Sequence, residues 1–514
     1  MDLSRRRFIG ASAALAAGIG VVGASGLTLS RGALAAPPST PGAVLRSRDG
    51  LLRATLTAQL GPALMAGQQL PGLLTFNGIY PGPQLHVRPG DRLQLRIRNR
   101  TGQAMNLHFH GFHVSPKGFQ DNVFLTIDDG SDLEYDVHLP DDHPSGLYWY
   151  HPHLHGNVGP LVYGGLAGLI VVEGGITEQP QVVGLRKRLL TLNSIGIDGL
   201  GTGNASLIPY PPTTQQNVHL VNGMLMPTIQ MRPGETQLWQ LANIGFAAYY
   251  VLTVPGGRVQ VVEEDGAPVW RTTLPKSVLL PPGKRFGILV TAPEQPGTSA
   301  LRTNGFTNGP RGDWPAMDLA RIEVSGAPAR SVLMDEHIGE PPAYLTEPIA
   351  HRRLLVMSAD FALAPPVWTF NGVQYEAITM KDVFTVRRNT VEEWIIANST
   401  GPGTTAIGES HPFHIHVNDF TIIERGTWDP VQAQITSRIP VRAPASMDTV
   451  SVDPGHYIKF RTKFADYVGR TVYHCHLLFH EDHGMMGIFD ILDADGSGVG
   501  PDQLLPTQAG SHQH

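Results

Sequence analysis

The 514-residue chain has room for roughly three or four domains of about 150 residues each. Its single cysteine excludes a disulfide framework, a paired-cysteine redox site and any metal site that needs several thiolates. With 41% hydrophobic and 16% charged residues, 58 Gly and 42 Pro, the composition is that of a turn-rich globular protein; a net charge of −6 gives no electrostatic basis for binding nucleic acid.

Residues 1–36 stand apart from the rest. Ser4-Arg5-Arg6-Arg7 precedes an uncharged Ala- and Gly-rich run from Phe8 to Leu29, and Ala33-Leu34-Ala35 offers a small-residue cleavage site. The pattern resembles a twin-arginine export signal, which implies handling by the twin-arginine machinery and a mature protein that is periplasmic or extracellular, in a bacterium or archaeon. The same run is barely long enough to serve as an uncleaved membrane anchor instead.

Beyond the signal, one segment recurs three times. Thr75-Phe76-Asn77-Gly78 leads through Val87-Arg88-Pro89-Gly90-Asp91 to Asn99; Val221-Asn222-Gly223 leads through Met231-Arg232-Pro233-Gly234-Glu235 to Asn243; Thr369-Phe370-Asn371-Gly372 leads through Val386-Arg387-Arg388-Asn389-Thr390 to Asn398. A repeat of this length predicts three units of one domain each. Runs such as Arg92-Leu93-Gln94-Leu95-Arg96-Ile97-Arg98 alternate polar and apolar residues, as a strand with one buried face requires, and Asn-Gly and Pro-Gly turns punctuate them. The expected organisation is all-β: Greek-key sandwiches over 44–180, 181–328 and 345–495, followed by a loosely ordered tail over 496–514. Trp239 and Trp394 hold equivalent places in the repeat, which predicts core packing for both.

Four short segments concentrate the chemistry: His108-Phe109-His110, His151-Pro152-His153, His411-Pro412-Phe413-His414-Ile415-His416, and His474-Cys475-His476 with His480 and Met485. Residues i and i+2 of a strand share a face, so each His-x-His unit presents two imidazoles side by side. Eight such nitrogens suit a cluster of several metal ions rather than one. If His474 and His476 face one way, Cys475 faces the other. A second site with one thiolate, two imidazoles and a weak Met ligand has the donor set of a blue-copper centre, and the two sites would be joined through the chain itself.

These four segments closely resemble those of the multicopper oxidases, a family that includes laccases, bilirubin oxidases and cuprous oxidases, and the likeness covers essentially the whole mature chain. It implies three cupredoxin-like domains and four copper ions. His411, Cys475, His480 and Met485 would be the type 1 ligands, His108 and His414 the type 2 ligands, and His110, His151, His153, His416, His474 and His476 the type 3 ligands, with the cluster between the first and third domains. Glu481 and Asp121 match the carboxylates that relay protons in this family, with Asp128 and Asp129 as competitors for the second role. The resemblance implies a monomeric, laccase-like enzyme that takes electrons from phenols or aromatic amines near His480 and His411, which approach the surface in the family, and reduces dioxygen to water. A cuprous or other metal-ion oxidase is the alternative; copper-tolerance members often carry a methionine-rich insert, whereas 327–366 holds only Met334 and Met357. Relatives that have lost catalysis lack ligand histidines, and none is missing here. His113, His155 and His483 lie near the ligands but outside the matched positions, and Met486 is one residue out of register with the axial ligand.

Overall fold

The computed structural model describes residues 43–507, apart from 310–311, 362, 364–365, 401–407 and 442–444. The expected signal, together with His512 and His514, lies outside the described residues. Each third of the chain builds two main sheets, and the middle third adds a two-stranded one, Phe306–Thr307 with Asp313–Trp314. In the first, Gly82–Val87, Gly168–Val172, Gly146–His151 and His108–His110 lie in that order in one sheet, and Gln68–Phe76, Leu51–Met65, Arg92–Arg100 and Asp132–His138 in the other. Leu85, Tyr150 and Ile170 from one sheet pack against Leu56, Leu95 and Ile97 from the other, the two-layer solution for sheets that are apolar on one face. In the third, Phe384–Arg387, Met486–Leu492, Gly469–Cys475, His411–Ile415 and Thr449–Val452 form the sheet that carries the histidine segments. All three units are cupredoxin-like β-sandwiches.

The repeat has a structural meaning. Leu51–Met65 pairs in parallel with Arg92–Arg100, Arg186–Asp198 with Thr236–Asn243, and Ile349–Asp360 with Thr390–Asn398. Asn77, Asn222 and Asn371 each adopt positive φ, a conformation that Asn tolerates better than other non-glycine residues. Each side-chain carbonyl then accepts a backbone N–H from the neighbouring strand, that of Thr57, Thr191 or Val356 at 2.7–2.8 Å. The closing asparagines do similar work in the core. Asn398 Nδ2 donates to the carbonyls of Glu409 (2.7 Å) and Val452 (2.8 Å) and so pins the approach to His411. Trp239 and Trp394 are both fully buried, with indole N–H groups bonded to Gln237 and Glu392.

Residues 496–507, expected to be loosely ordered, are mostly exposed, but Gln503 and Leu505 are buried and anchor the segment. Leu505 is buried among Val123, Ile378 and Val472. Gln503 Nε2 donates to the carbonyls of Pro116 (2.8 Å) and Arg470 (2.7 Å). The Gly- and Asp-rich composition of the segment hid these two anchors, which only distant partners make visible.

The first and second thirds meet at the buried carboxyl of Glu263, which accepts bonds from the Leu147 N–H (3.3 Å) and from Gln240 (3.0 and 3.2 Å). Burial pushes this carboxyl up to about 7, against the opposing effect of those bonds. The unfolded chain ionises it near 4.5, so ionisation favours the unfolded state and stability falls as pH rises from there toward 7. The neutral variant Glu263→Gln escapes this loss: denaturant titration should find it more stable than the parent above pH 7, by on the order of 3 kcal/mol, and no more stable at pH 4. A pH-independent difference would contradict the assignment.

Candidate metal centre

The sheets bring all ten motif histidines and Cys475 into two adjoining sites. His108 and His151 are directly opposite in one antiparallel pair, and His414 and His474 in another. The i, i+2 pairs share faces as expected, with ring centroids 5.6 Å apart for His108 and His110, 5.8 Å for His151 and His153, 5.0 Å for His414 and His416, and 5.5 Å for His474 and His476. His153, His416 and His476 lie just past their strand ends. Pro152 has no N–H to continue a ladder, and His153 is held instead by its N–H to Asn106 Oδ1 at 2.7 Å.

On one face of Gly469–Cys475, the Cys475 sulfur lies 3.5 Å from His411 Nδ1 and 3.8 Å from His480 Nδ1, and those nitrogens are 3.2 Å apart. Met485 is fully buried in the same core, and its carbonyl accepts the Cys475 N–H at 3.0 Å. On the other face, His474 Nε2 sits 3.1 Å from His153 Nε2 and 3.2 Å from His416 Nε2, and His476 Nε2 is 3.3 Å from His110 Nδ1.

Five of the eight cluster imidazoles have an anchored outward nitrogen, whereas the outward Nδ1 of His153, His416 and His476 has no hydrogen-bond partner among the described residues. Nδ1 of His108, His151 and His414 is bonded to Asp121, to the Pro152 carbonyl and to the Asp448 carbonyl respectively, and the buried Nε2 of each has no hydrogen-bond partner among the described residues. His110 is turned the other way, with Nε2 toward Asp448 and Thr449. Burial and the neighbouring imidazoles hold His108, His153, His416 and His476 well below the ordinary histidine range, so their rings stay neutral. Burial pushes the Cys475 thiol well above its usual range; a bound cation would hold it as the thiolate. Neutral imidazoles with orphaned, converging nitrogens, and a thiol that needs a cation, fit soft or borderline metal ions such as copper.

Two carboxylates touch the cluster. Asp121 lies 2.9 Å from His108 Nδ1 and accepts the Phe109 N–H at 2.9 Å; burial pushes it up to about 8, against the effect of that N–H. Its competitors Asp128 and Asp129 are exposed. Glu481, fully buried, has its oxygens 3.4 Å from His153 Nε2 and 3.1 Å from His474 Nδ1. The short helix Leu478–Glu481 explains how consecutive residues serve different sites: a helical step of about 100° turns His480 toward the sulfur and Glu481 toward the cluster.

Sequence reading missed Asp448 and Glu409. The Asp448 carboxylate reaches His110 and His414 from behind, and the fully buried Glu409 has an oxygen 3.3 Å from His480 Nε2. Neither stands in a histidine motif with its partners, so spacing carried no signal for them. One expectation is overturned: His480 and His411 are 1% and 0% exposed rather than at the surface. Trp368 stacks on His480 at 4.7 Å, and a cavity of about 40 Å³ lined by Pro211, Pro212, Phe246, Trp314 and Phe479 lies against the imidazole. His113 and His155 reach Asp466 and Glu376, His483 stacks on Phe479, and Met486 packs in a separate apolar cluster from Met485.

Profiles of the multicopper oxidases match residues 58–175, 181–317 and 349–495, and the chain belongs to that family of copper-dependent oxidoreductases that use dioxygen. A multicopper oxidase of Staphylococcus haemolyticus is 24% identical over 86% of this chain and 89% of its own length. A laccase of Bacillus subtilis is 24% identical over 81% and 90%. Among solved structures, a Campylobacter jejuni multicopper oxidase described as a metallo-oxidase superposes with a TM-score of 0.72 at 24% identity, covering 88% of this chain and 96% of that one.

Carboxylates behind metal-binding imidazoles set ring orientation and ligand basicity. Asp121→Asn should therefore weaken copper retention at His108 by about 10- to 100-fold, read as copper lost per chain during dialysis against a graded chelator. Unchanged retention would mean that Asp121 plays no part in holding His108.

Proposed function

We propose that this protein is a laccase-like enzyme that removes electrons one at a time from small phenols or aromatic amines and passes four of them to dioxygen, yielding two waters. The observation that carries the reading is the opposition across Cys475: its sulfur lies with His411 and His480 on one face, while His474 and His476, each one residue away, join the cluster on the other. In this assignment His411, Cys475, His480 and Met485 hold the type 1 copper, His108 and His414 the type 2 copper, and His110, His151, His153, His416, His474 and His476 the type 3 pair. Bound copper supplies the one-electron chemistry and the oxygen-binding positions.

The protein's own groups do the rest. The backbone between Cys475 and its flanking histidines offers a short covalent path for electrons. Aromatic and proline side chains border the small cavity beside His480, a surface suited to contact with the flat face of an aromatic donor. Glu481, against His153 and His474, would supply protons to the cluster side, with Asp121 as a second relay on the His108 side. A metal-ion donor is less well served by 327–366, whose two methionines, Met334 and Met357, are 6% and 0% exposed. Export through the twin-arginine pathway is part of the same reading, supported by Ser4-Arg5-Arg6-Arg7 and the run to Leu29.

Copper-loaded protein assayed for oxygen consumption should turn over dimethoxyphenol without added copper; turnover of cuprous ion alone would overturn the laccase reading. Cys475→Ser should lose both the intense blue absorption and turnover while keeping most of its remaining copper, and retained blue colour would refute the assignment of Cys475. Glu481→Gln should slow steady-state oxygen reduction by about 10²-fold or more, the low end for a lost general acid, while single-turnover reduction of the blue chromophore by donor stays near the parent rate. Equal slowing of both would remove Glu481 from the relay.

A further inference from the structure

The middle third contributes none of the motif histidines, yet it reaches the centre of the site. Arg285, on Arg285–Thr291, is fully buried and grips Asp448 with both terminal nitrogens, at 2.7 and 2.6 Å. Its Nε donates to the Leu147 carbonyl at 3.2 Å and its Nη2 to the Asp265 carbonyl at 2.9 Å, so one guanidinium spans all three thirds of the chain. Asp448 in turn holds one histidine from each flanking third. Its Oδ1 is 3.2 Å from His110 Nε2 and 3.4 Å from His414 Nδ1, and its backbone carbonyl accepts from His414 Nδ1 at 2.9 Å. Thr449 Oγ1 closes the set, 3.3 Å from His110 Nε2, 3.2 Å from His414 Nδ1 and 2.8 Å from Asp448 Oδ1.

Two glycines are cut to this arrangement. A Cβ on Gly111, next to His110, would lie 2.3 Å from Arg285 Nη2 and 2.7 Å from Asp448 Oδ2; one on Gly283 would lie 2.7 Å from the His476 ring. The Asp265 carboxylate fixes the clamp from below by accepting the backbone N–H groups of Arg285, Asp448 and Thr449 at 3.0–3.1 Å.

We infer that Asp448, held by Arg285, is the positioning residue that locks the facing imidazoles of His110 and His414 into one tautomer and one orientation, so that the middle domain controls copper loading of the cluster. The stacked His110 and His414 rings, 3.9 Å apart and 9° from parallel, show the two imidazoles fixed as a unit. Because His110 presents Nδ1 inward and the other anchored rings present Nε2, a carboxylate on its outer nitrogen selects which nitrogen is left free for metal. The inference rests on the copper reading above and adds a loading role that lies outside the histidine motifs.

The test compares the holoprotein with Asp448→Asn, Asp448→Glu and the neutral double variant Arg285→Gln/Asp448→Asn, measuring copper per chain under chelator competition, the blue absorption and the electron paramagnetic resonance of the copper outside the cysteine site. Asp448→Asn should retain cluster copper about 10- to 100-fold less tightly, with an altered resonance from what remains and the blue absorption intact; Asp448→Glu should restore much of it. Removing one member of a buried ion pair can unfold a protein, and the double variant leaves no unpaired charge, so it should fold and show the same selective loss. Thr449→Val, which changes no charge, should show a smaller loss in the same direction. Parent-like copper retention and resonance in the folded variants overturns the inference, as does loss of blue and cluster copper in equal measure. A parent protein that binds no copper would instead overturn the copper reading itself.

Discussion

Alternate residues of a β-strand must face opposite sides, and the site is organised around that constraint at one point. On Gly469–Cys475, flanked by His411–Ile415 and Met486–Leu492, the cysteine sulfur is forced away from the two imidazoles that bracket it. Two sites of different chemistry are thereby held back to back on consecutive residues. The strand pairing sets the register around it: His414 is opposite His474, Phe413 is opposite Cys475, and Met486 is opposite His474.

Placing eight imidazoles together in a buried interior carries a desolvation cost that is reduced where their outward nitrogens find partners. The structure meets this largely with carboxylates and carbonyls: Asp121 behind His108, Asp448 behind His110 and His414, and the carbonyls of Pro152 and Cys475 behind His151 and His474. Burial works to raise the Asp448 carboxyl, but Arg285 and the two histidines outweigh it and hold it well below the usual range. A buried carboxylate of this kind needs a buried cation, which gives the middle domain a structural reason to extend Arg285 into a site where it supplies no histidine.

The cysteine site is sealed differently. Trp368 covers His480, and Pro211, Pro212 and Phe246 come from the middle domain to close the remaining side. The approach to His480 is thus bordered by side chains of the middle domain together with Trp368 and Phe479.

Much of this was legible in the amino-acid order because it depends on local periodicity. The period-two runs announced strands, the Asn-Gly and Asn positions marked three equivalent units, and the His-x-His spacings with Cys475, His480 and Met485 declared both sites before any contact was known. Asp121 and Glu481 were within reach only through the likeness to the multicopper oxidases, in which carboxylates stand at matching places beside the histidine segments. Asp448, Arg285 and Glu409, the closure over His480 and the packing of Leu505 were not, since each depends on residues brought together by pairing between sheets or domains. Sequence alone determined which atoms are available to bind metal and which face each occupies, because that follows from the geometry of a single strand. Only the tertiary structure decided which nitrogen of each ring is left free, what stands behind it and how a donor can approach, because those are set by desolvation and by charges that the chain supplies from distant positions.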